Sequence, residues 1–245
     1  MAEARRAPLI VAIDGPSGVG KSSAARLLAR RLGLPFLSTG AMYRAAGLAA
    51  LEGGVDVEDA AAVARLVDGL RLELVLEESG DLAVRLDGRD PRDRLRGPAV
   101  SDITSRLSIY PELRRALVER QRQAAAVRGA VVEGRDVGTV VFPETPFKFF
   151  LDADPAVRAE RRWRQLQGDG EAAPALAEVE AAERDRDRRD VTREASPLRA
   201  DASYVCFDTG HLGLEEVVER MAALVSGGAG RPDAAARAGE QRGSG

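Results

Sequence analysis

The chain has 245 residues, of which 44% are hydrophobic and 31% are charged, a balance typical of soluble globular proteins with one large domain or two small ones. The formal net charge of −3 argues against nucleic acid as the main partner, because nucleic-acid binding depends on an excess of Lys and Arg. No run of about 18 apolar residues occurs, so we expect no membrane span.

The N-terminal part of the chain does not resemble a secretory signal peptide, because its apolar run at residues 9–13 passes directly into a glycine-rich loop. Cys206 is the only cysteine, so no internal disulfide can form. Both observations favour a reducing, cytoplasmic setting. We expect Cys206 to be a buried strand residue and the single histidine, His211, to be structural.

Apolar runs that alternate with helical patterns predict an α/β fold with a five-stranded parallel sheet flanked by helices. The predicted strands lie at residues 7–14, 34–40, 130–133, 147–153 and 202–210. The predicted helices lie at residues 23–33, 41–54, 57–70, 97–129 (interrupted near Pro111), 155–167, 175–194 and 213–225.

One segment does not follow this alternation. Residues 71–78 and 82–90 alternate apolar and polar side chains on either side of a Ser-Gly-Asp turn. This pattern predicts an antiparallel hairpin with one face open to water. We therefore expect an inserted domain with antiparallel strands at about residues 41–110.

Residues 15–22 spell G-x-x-x-x-G-K-[ST], a phosphate-binding loop (P-loop), between a predicted strand and a predicted helix, as that motif requires. Glycines allow backbone N–H groups to face phosphates, and a helix N-terminus favours negative charge. Lys21 supplies a compact cation in a chain whose only other lysine is Lys148, and Ser22 offers a hydroxyl to Mg²⁺. The residues predicted to bind the ATP phosphates are Gly15, Pro16, Ser17, Gly18, Val19, Gly20, Lys21, Ser22 and Ser23.

A P-loop identifies a nucleoside triphosphate but not a reaction. A GTPase would carry an Asn-Lys-x-Asp motif, and this chain contains no asparagine. A mechanical ATPase usually carries an apolar strand that ends in Asp-Glu, and none stands out. A small-molecule kinase needs arginines that neutralise the transferring phosphate, and it fits both the length of the chain and its arginine clusters.

The segment Arg184–Glu194 is almost entirely charged. On a helix, Arg186, Asp190 and Arg193 stand at positions i, i+4 and i+7 and share one face. Charge alone favours a solvated helix, because such helices are common. An anion-binding face is the alternative.

Four stretches resemble bacterial cytidylate kinases in the same order, over roughly residues 9–226: IDGPSGVGKS, STGAMYR, VVEGRDVGTVVFP and RDRRDVTREASPL. The combination of GRDVGTVVFP with D-x-x-R-x-x-x-P-L is specific, and Gly-Arg-Asp differs from the corresponding strand end of adenylate kinases. The resemblance implies a monomer that transfers the γ-phosphate of MgATP to CMP, with dCMP as a second substrate.

The resemblance also implies roles for individual residues. Lys21, Arg135 and Arg193 would be catalytic, and Arg158, Arg161 and Arg162 would include lid contacts to the ATP phosphates. Mg²⁺ would be held directly by Ser22 and through water by Glu133 or Asp14. The implied CMP-binding residues are Thr39, Tyr43, Arg44, Ser105, Arg114, Arg135, Asp136, Arg186, Asp190 and Arg193. Among these, Arg44, Arg135 and Arg193 would bind phosphate, Arg186 and Asp190 the ribose, and Ser105, Arg114 and Asp136 the cytosine; Ser38 and Thr39 depart modestly from the family pattern.

These interpretations define the expected domain organisation. It consists of an N-terminal extension (1–8), a P-loop core (9–40, 111–157 and 173–226), the inserted monophosphate-binding domain (41–110), a short helical lid (158–172) and a disordered tail (227–245). The alternatives are a kinase for another acceptor such as UMP, a non-catalytic ATP sensor that docks a partner, and, more remotely, an RNA-binding protein.

Overall fold

The computed structural model describes residues 8–168 and 174–228. Its strands are β1 (Ile10–Asp14), β2 (Phe36–Ser38), β3 (Leu72–Leu76), β4 (Leu82–Leu86), β5 (Ala130–Glu133), β6 (Phe147–Asp152) and β7 (Val205–Asp208). Its helices are α1 (Lys21–Leu32), α2 (Thr39–Glu52), α3 (Ala60–Gly69), α4 (Pro98–Leu107), α5 (Pro111–Ala126), α6 (Pro155–Gly168), α7 (Leu176–Thr192) and α8 (Leu214–Ser226). A 3₁₀ turn spans Arg92–Arg94, and a π-helical turn spans Val137–Val141.

Five strands form a parallel sheet in the order β2-β5-β1-β6-β7, which confirms the predicted fold class. The central strand β1 is buried along most of its length, as its continuous apolar run predicts. The remaining strands, β3 and β4, form a separate antiparallel pair in which Leu72 faces Leu86 and Leu76 faces Leu82. The predicted hairpin is therefore confirmed. None of the helices described here is long and apolar enough to cross a membrane.

The described residues form two compact units, which we call the first unit (residues 8–11 and 29–132) and the second unit (residues 12–28, 133–168 and 174–228). The first unit contains the hairpin and the packed pair α2 and α4, whose close approach requires glycine at position 47, since a Cβ there would lie 2.4 Å from Thr104 Oγ1. The second unit contains the pairs β6–β7 and α6–α7. The domain boundaries inferred from the sequence stay a prediction, and their residues 1–7, 169–173 and 229–245 lie outside the described residues.

Three local expectations from the sequence need correction. Cys206 is exposed rather than buried, because β7 is an edge strand whose side chains alternate in exposure. Helix α7 ends at Thr192, so Arg193 does not continue the helical face of Asp190 and instead has extended backbone angles (φ −60°, ψ 137°). His211 is solvent-exposed, with Nε2 3.7 Å from an Asp208 carboxylate oxygen, and holds no core packing in place.

Candidate active site

The P-loop lies between β1 and α1, and its glycines are required by the backbone. Gly15 has φ +146°, and a Cβ there would lie 2.1 Å from the carbonyl oxygen of Leu151. Gly18 has φ +77°, and a Cβ there would lie 2.7 Å from the carbonyl oxygen of Arg158. A side chain at either position would therefore push the loop away from the structure beneath it.

Lys21 begins α1 and is buried, and its Nζ donates a hydrogen bond to the carbonyl oxygen of Pro16 within the same loop. Burial, followed by the positive charge of Arg135, lowers the pKa of the Lys21 ammonium to about 7. A phosphate group near Nζ would oppose both effects. The loop therefore holds an ammonium group whose protonated form a nucleotide phosphate would stabilise.

Two of the three residues considered for Mg²⁺ lie together. The Ser22 hydroxyl donates to Glu133 Oε1 at 3.1 Å, so that a hydroxyl and a buried carboxylate meet at the start of α1. Oxygen ligands of this kind suit Mg²⁺ that also binds nucleotide phosphates. Asp14, in contrast, is completely buried, and its carboxylate accepts hydrogen bonds from three protein groups.

A cluster of arginines surrounds the buried carboxylate of Asp190. Arg135 follows β5 and donates from Nε to Asp190 Oδ2 at 2.9 Å. Arg193 lies just beyond the end of α7; its Nη1 is 3.5 Å from Asp190 Oδ1, and its Nε donates to the carbonyl oxygen of Ser196 at 2.7 Å. The last bond explains why Arg193 still reaches Asp190 although the helix has ended. The sequence therefore predicted the contact between Arg193 and Asp190 correctly, but this contact does not depend on the continuous helix that the sequence predicted.

The electrostatics of this cluster favour an anionic ligand. Burial acts to raise the pKa of the Asp190 carboxyl, but the charges of Arg135, Arg186 and Arg193 hold it below its usual value. Burial and the nearby charge of Arg135 lower the pKa of the Arg186 guanidinium. Asp190, Glu183 and Glu133 each contribute negative charge to these guanidinium groups, and an incoming phosphate would stabilise them further.

The three lid arginines have different environments. Arg158 is buried, donates from Nε to the carbonyl oxygen of Ala153 at 3.0 Å, and pairs through Nη1 with Asp187 Oδ2 at 2.7 Å. Arg161 donates from Nη2 to the carbonyl oxygen of Thr209 at 2.8 Å. Arg162 donates from Nη1 to the Gln165 side chain at 3.0 Å. Their predicted contact with ATP phosphates stays a prediction.

Sequence reasoning missed Asp187, Glu183 and Thr209. Asp187 stands three residues before Asp190 on α7, and the shared helical face is the signal that would have revealed it. Buried Glu183, one turn earlier, contributes negative charge to Arg135 and Arg186. The Thr209 hydroxyl donates to the carbonyl oxygen of P-loop residue Val19 at 3.0 Å, a contact that no sequence pattern predicts.

The first unit holds a second group of predicted ligands. Arg114 of α5 is buried, its guanidinium carbon lies 5.4 Å from the centre of the Tyr43 ring, and its Nη1 donates to the carbonyl oxygen of Ser108 at 3.0 Å. That bond ties Arg114 to the end of α4, where Ser105 is also buried. A cation over an aromatic face is held by electrostatic attraction. The arrangement fixes Arg114 relative to both α2 and α4.

The remaining predicted acceptor residues belong to three different segments of the chain. Thr39 and Arg44 lie on α2, Thr39 buried and Arg44 partly buried with its guanidinium beside Gly40. Asp136 is buried in the second unit, between β5 and the π-helical turn. Arg186 is partly buried on α7.

Comparison with known proteins agrees with the sequence resemblance. The family described as cytidylate kinase matches residues 11–227 of the chain. A cytidylate kinase of Nocardia farcinica is 46% identical over 224 residues, covering 89% of this chain and 94% of that protein. A cytidylate kinase of Rhodococcus opacus is 45% identical, with 89% and 95% covered, and one of Pelotomaculum thermopropionicum is 43% identical, with 89% and 96% covered. The chain therefore belongs to the cytidylate kinase family.

Proposed function

We propose that the protein transfers the γ-phosphate of MgATP to CMP, giving ADP and CDP, and that dCMP is a second acceptor. The observation that carries this proposal is the shared buried carboxylate of Asp190, which holds Arg135 and Arg193 from two different elements. A phosphoryl-transfer enzyme needs such preorganised positive charge more than it needs acid or base groups. Membership of the cytidylate kinase family supports the choice of acceptor.

The donor side is the P-loop. Its backbone N–H groups and Lys21 would bind the β- and γ-phosphates of ATP. Ser22, and Glu133 through water, would hold Mg²⁺, which when bound neutralises charge on those phosphates. We assign no Mg²⁺ contact to Asp14, since its oxygens already accept three hydrogen bonds inside the protein.

On the acceptor side, Arg44, Arg135 and Arg193 would bind the CMP phosphate, for which the guanidinium fork gives bidentate geometry. Arg186 and Asp190 would contact the ribose hydroxyls. Ser105, Arg114 and Asp136 would bind the cytosine, in which a carboxylate can accept from the exocyclic amine. Thr39 and Tyr43 would line the same ligand. UMP lacks that amine and would leave the carboxylate unpaired, which is the source of the expected base selectivity.

The chemical step is an in-line attack by a CMP phosphate oxygen on the γ-phosphorus. A new P–O bond forms to CMP, the bond between the γ-phosphorus and the bridging oxygen breaks, and the electron pair leaves with ADP. The attacking phosphate oxygen is already ionised at neutral pH, so no protein base has to remove a proton. Lys21, Arg135 and Arg193 would share the charge that spreads over the transferred group. Monomeric state and lid closure stay predictions of the family resemblance, and cytoplasmic location stays a prediction from the cysteine count and the N-terminal sequence pattern.

The test is ADP release from MgATP with CMP, dCMP, UMP, AMP and GMP as separate acceptors. We expect strong turnover with CMP and dCMP and weak turnover with UMP. ADP release that does not depend on any monophosphate, together with intact ATP binding, would contradict the kinase assignment and favour an ATP sensor. Strong turnover with only one of the other acceptors would show that this acceptor, and not CMP, is the substrate.

A pair of neighbouring arginines on α5 tests the cytosine assignment. Arg114 is buried, whereas Arg115 is 78% exposed, with only a distant pairing to Glu112. We expect Arg114→Ala to lower kcat/KM for CMP by about 100-fold, as for a lost polar contact in a specific site, and to reduce the preference for CMP over UMP. Arg115→Ala should retain the wild-type values, and equal values for both variants would refute the assignment.

A further inference from the structure

Asp14 is a buried carboxylate that the proposed mechanism does not use. It is the last residue of β1, with no solvent exposure, directly before the P-loop. Its Oδ1 accepts from the backbone N–H of Val137 at 2.8 Å, and its Oδ2 accepts from the N–H of Gly138 and from the Tyr204 hydroxyl, each at 2.8 Å. Burial of a charged group costs free energy unless hydrogen bonds compensate it, and these three hydrogen bonds compensate the Asp14 carboxylate.

The two backbone groups that Asp14 holds belong to the start of the π-helical turn. The first hydrogen bonds within this turn run from Val140 and Val141 to the carbonyl oxygen of Asp136. The N–H groups of a helix's first turn have no partner inside the helix, and here the Asp14 carboxylate supplies one for Val137 and Gly138. This turn follows Arg135 and Asp136 without any intervening residue.

Tyr204 completes the arrangement from the residue before β7. It is buried, and a Cβ on Gly138 would lie 2.6 Å from its hydroxyl oxygen and 3.1 Å from Lys148 Cδ. The absence of a side chain at position 138 is therefore what lets Tyr204 reach Asp14. The end of β1, the turn after β5 and the approach to β7 meet at this one carboxylate.

We propose that Asp14 is a positioning residue for phosphoryl transfer, which fixes the backbone at Val137 and Gly138 and thereby the side chains of Arg135 and Asp136. This inference rests on the proposed function, because Arg135 and Asp136 are the residues assigned there to the acceptor. Asp14 touches neither substrate in this scheme. Its role is to prevent the Arg135 guanidinium from moving away from Asp190, since small displacements in an active site reduce catalysis sharply.

The main experiment is Asp14→Asn, which preserves the shape of the side chain but turns an NH₂ group towards N–H donors. We expect kcat/KM for CMP to fall by about 10- to 100-fold, the loss typical of a misplaced catalytic group. The Kd for ATP, measured without CMP, should change by less than about threefold, because uniform binding of the donor is not affected. Hydrogen exchange at the amides of Val137 and Gly138 should accelerate, whereas exchange in β6 should not.

Two further variants control this experiment. Asp201 also accepts from a backbone N–H, that of Ser203 at 2.8 Å, but it is exposed. Asp201→Asn should therefore leave kcat/KM and the two amides unchanged. Tyr204→Phe removes one of the three bonds to Asp14, so we expect a few-fold loss of kcat/KM and a smaller acceleration of exchange at Val137 and Gly138.

Each outcome decides the proposal. Wild-type kcat/KM in Asp14→Asn would overturn it, and so would lost activity with unchanged exchange, which would mean that Asp14 acts directly on substrate or metal. Loss of ATP affinity as large as the loss of kcat/KM would overturn it in favour of action on the P-loop. If Asp14→Asn does not fold, Tyr204→Phe decides, since unchanged exchange and activity there refute the link. A wild-type protein without CMP-dependent activity would refute the proposed function separately.

Discussion

The buried carboxylate of Asp190 gives the sharpest quantitative prediction. The Asp190 side chain is only 8% exposed and is shared by Arg135 and Arg193. Removal of one partner of a buried ion pair costs about 3–5 kcal/mol, because the other charge remains buried without compensation. A chain of this length loses about 2–4 °C in Tm per kcal/mol. We therefore expect Asp190→Ala to lower Tm by roughly 10 °C, even though it removes only a few atoms.

Helix α7 provides a matched control. Asp185 pairs with Arg188 at 3.0 Å, but both side chains are exposed, at 63% and 73%. Exposed pairs of this kind contribute about 0.5 kcal/mol or less, so Asp185→Ala should change Tm by no more than about 2 °C. Because the pKa of Asp190 is lowered in the folded state, its contribution is complete at pH 7 and is lost only as the pH falls through that lowered pKa.

Thermal unfolding followed by circular dichroism at pH 7 would compare the two variants, and ADP release would show whether the same residue supports catalysis. Equal losses of Tm in the two variants would refute the reasoning. They would mean that the positive charge of Arg135 is still compensated after Asp190 is removed. A large loss of Tm with wild-type kcat/KM would confine Asp190 to a structural role.

Two further predictions concern the P-loop. Gly15→Ala should destabilise the fold more than Gly33→Ala and should abolish ATP binding. Both positions have positive φ, but only at Gly15 would the new Cβ collide with Leu151. Equal midpoints of chemical denaturation for the two variants would contradict this prediction. At pH 8, ATP binding should take up protons, because the lowered pKa of Lys21 leaves it largely neutral and a bound phosphate raises that pKa. Calorimetry in buffers of different ionisation enthalpy measures this uptake, and a binding enthalpy independent of buffer would exclude it.

The sequence by itself determined the fold class and the strand–loop–helix path around residues 15–22. The continuous apolar runs predict buried parallel strands, and the motif at residues 15–22 specifies a local backbone path that needs no distant partner. The hairpin at β3 and β4 was also predictable, because alternation and a turn are local signals. For the same reason the ends of most helices lie within a few residues of their predicted positions.

Only the tertiary structure decided which charged side chains are buried or paired. Arg158 and Arg161 follow the same pattern as their neighbours in the sequence, yet they are bound to Asp187 and Thr209, which distant segments bring to them. Cys206 is exposed because β7 lies at a sheet edge, a property of strand order that composition does not contain. Asp14 belongs to an apolar strand, and its partners are more than 120 residues away in the chain. Helical spacing relates residues three or four apart, whereas burial and pairing of charge depend on contacts that exist only after the sheet has assembled.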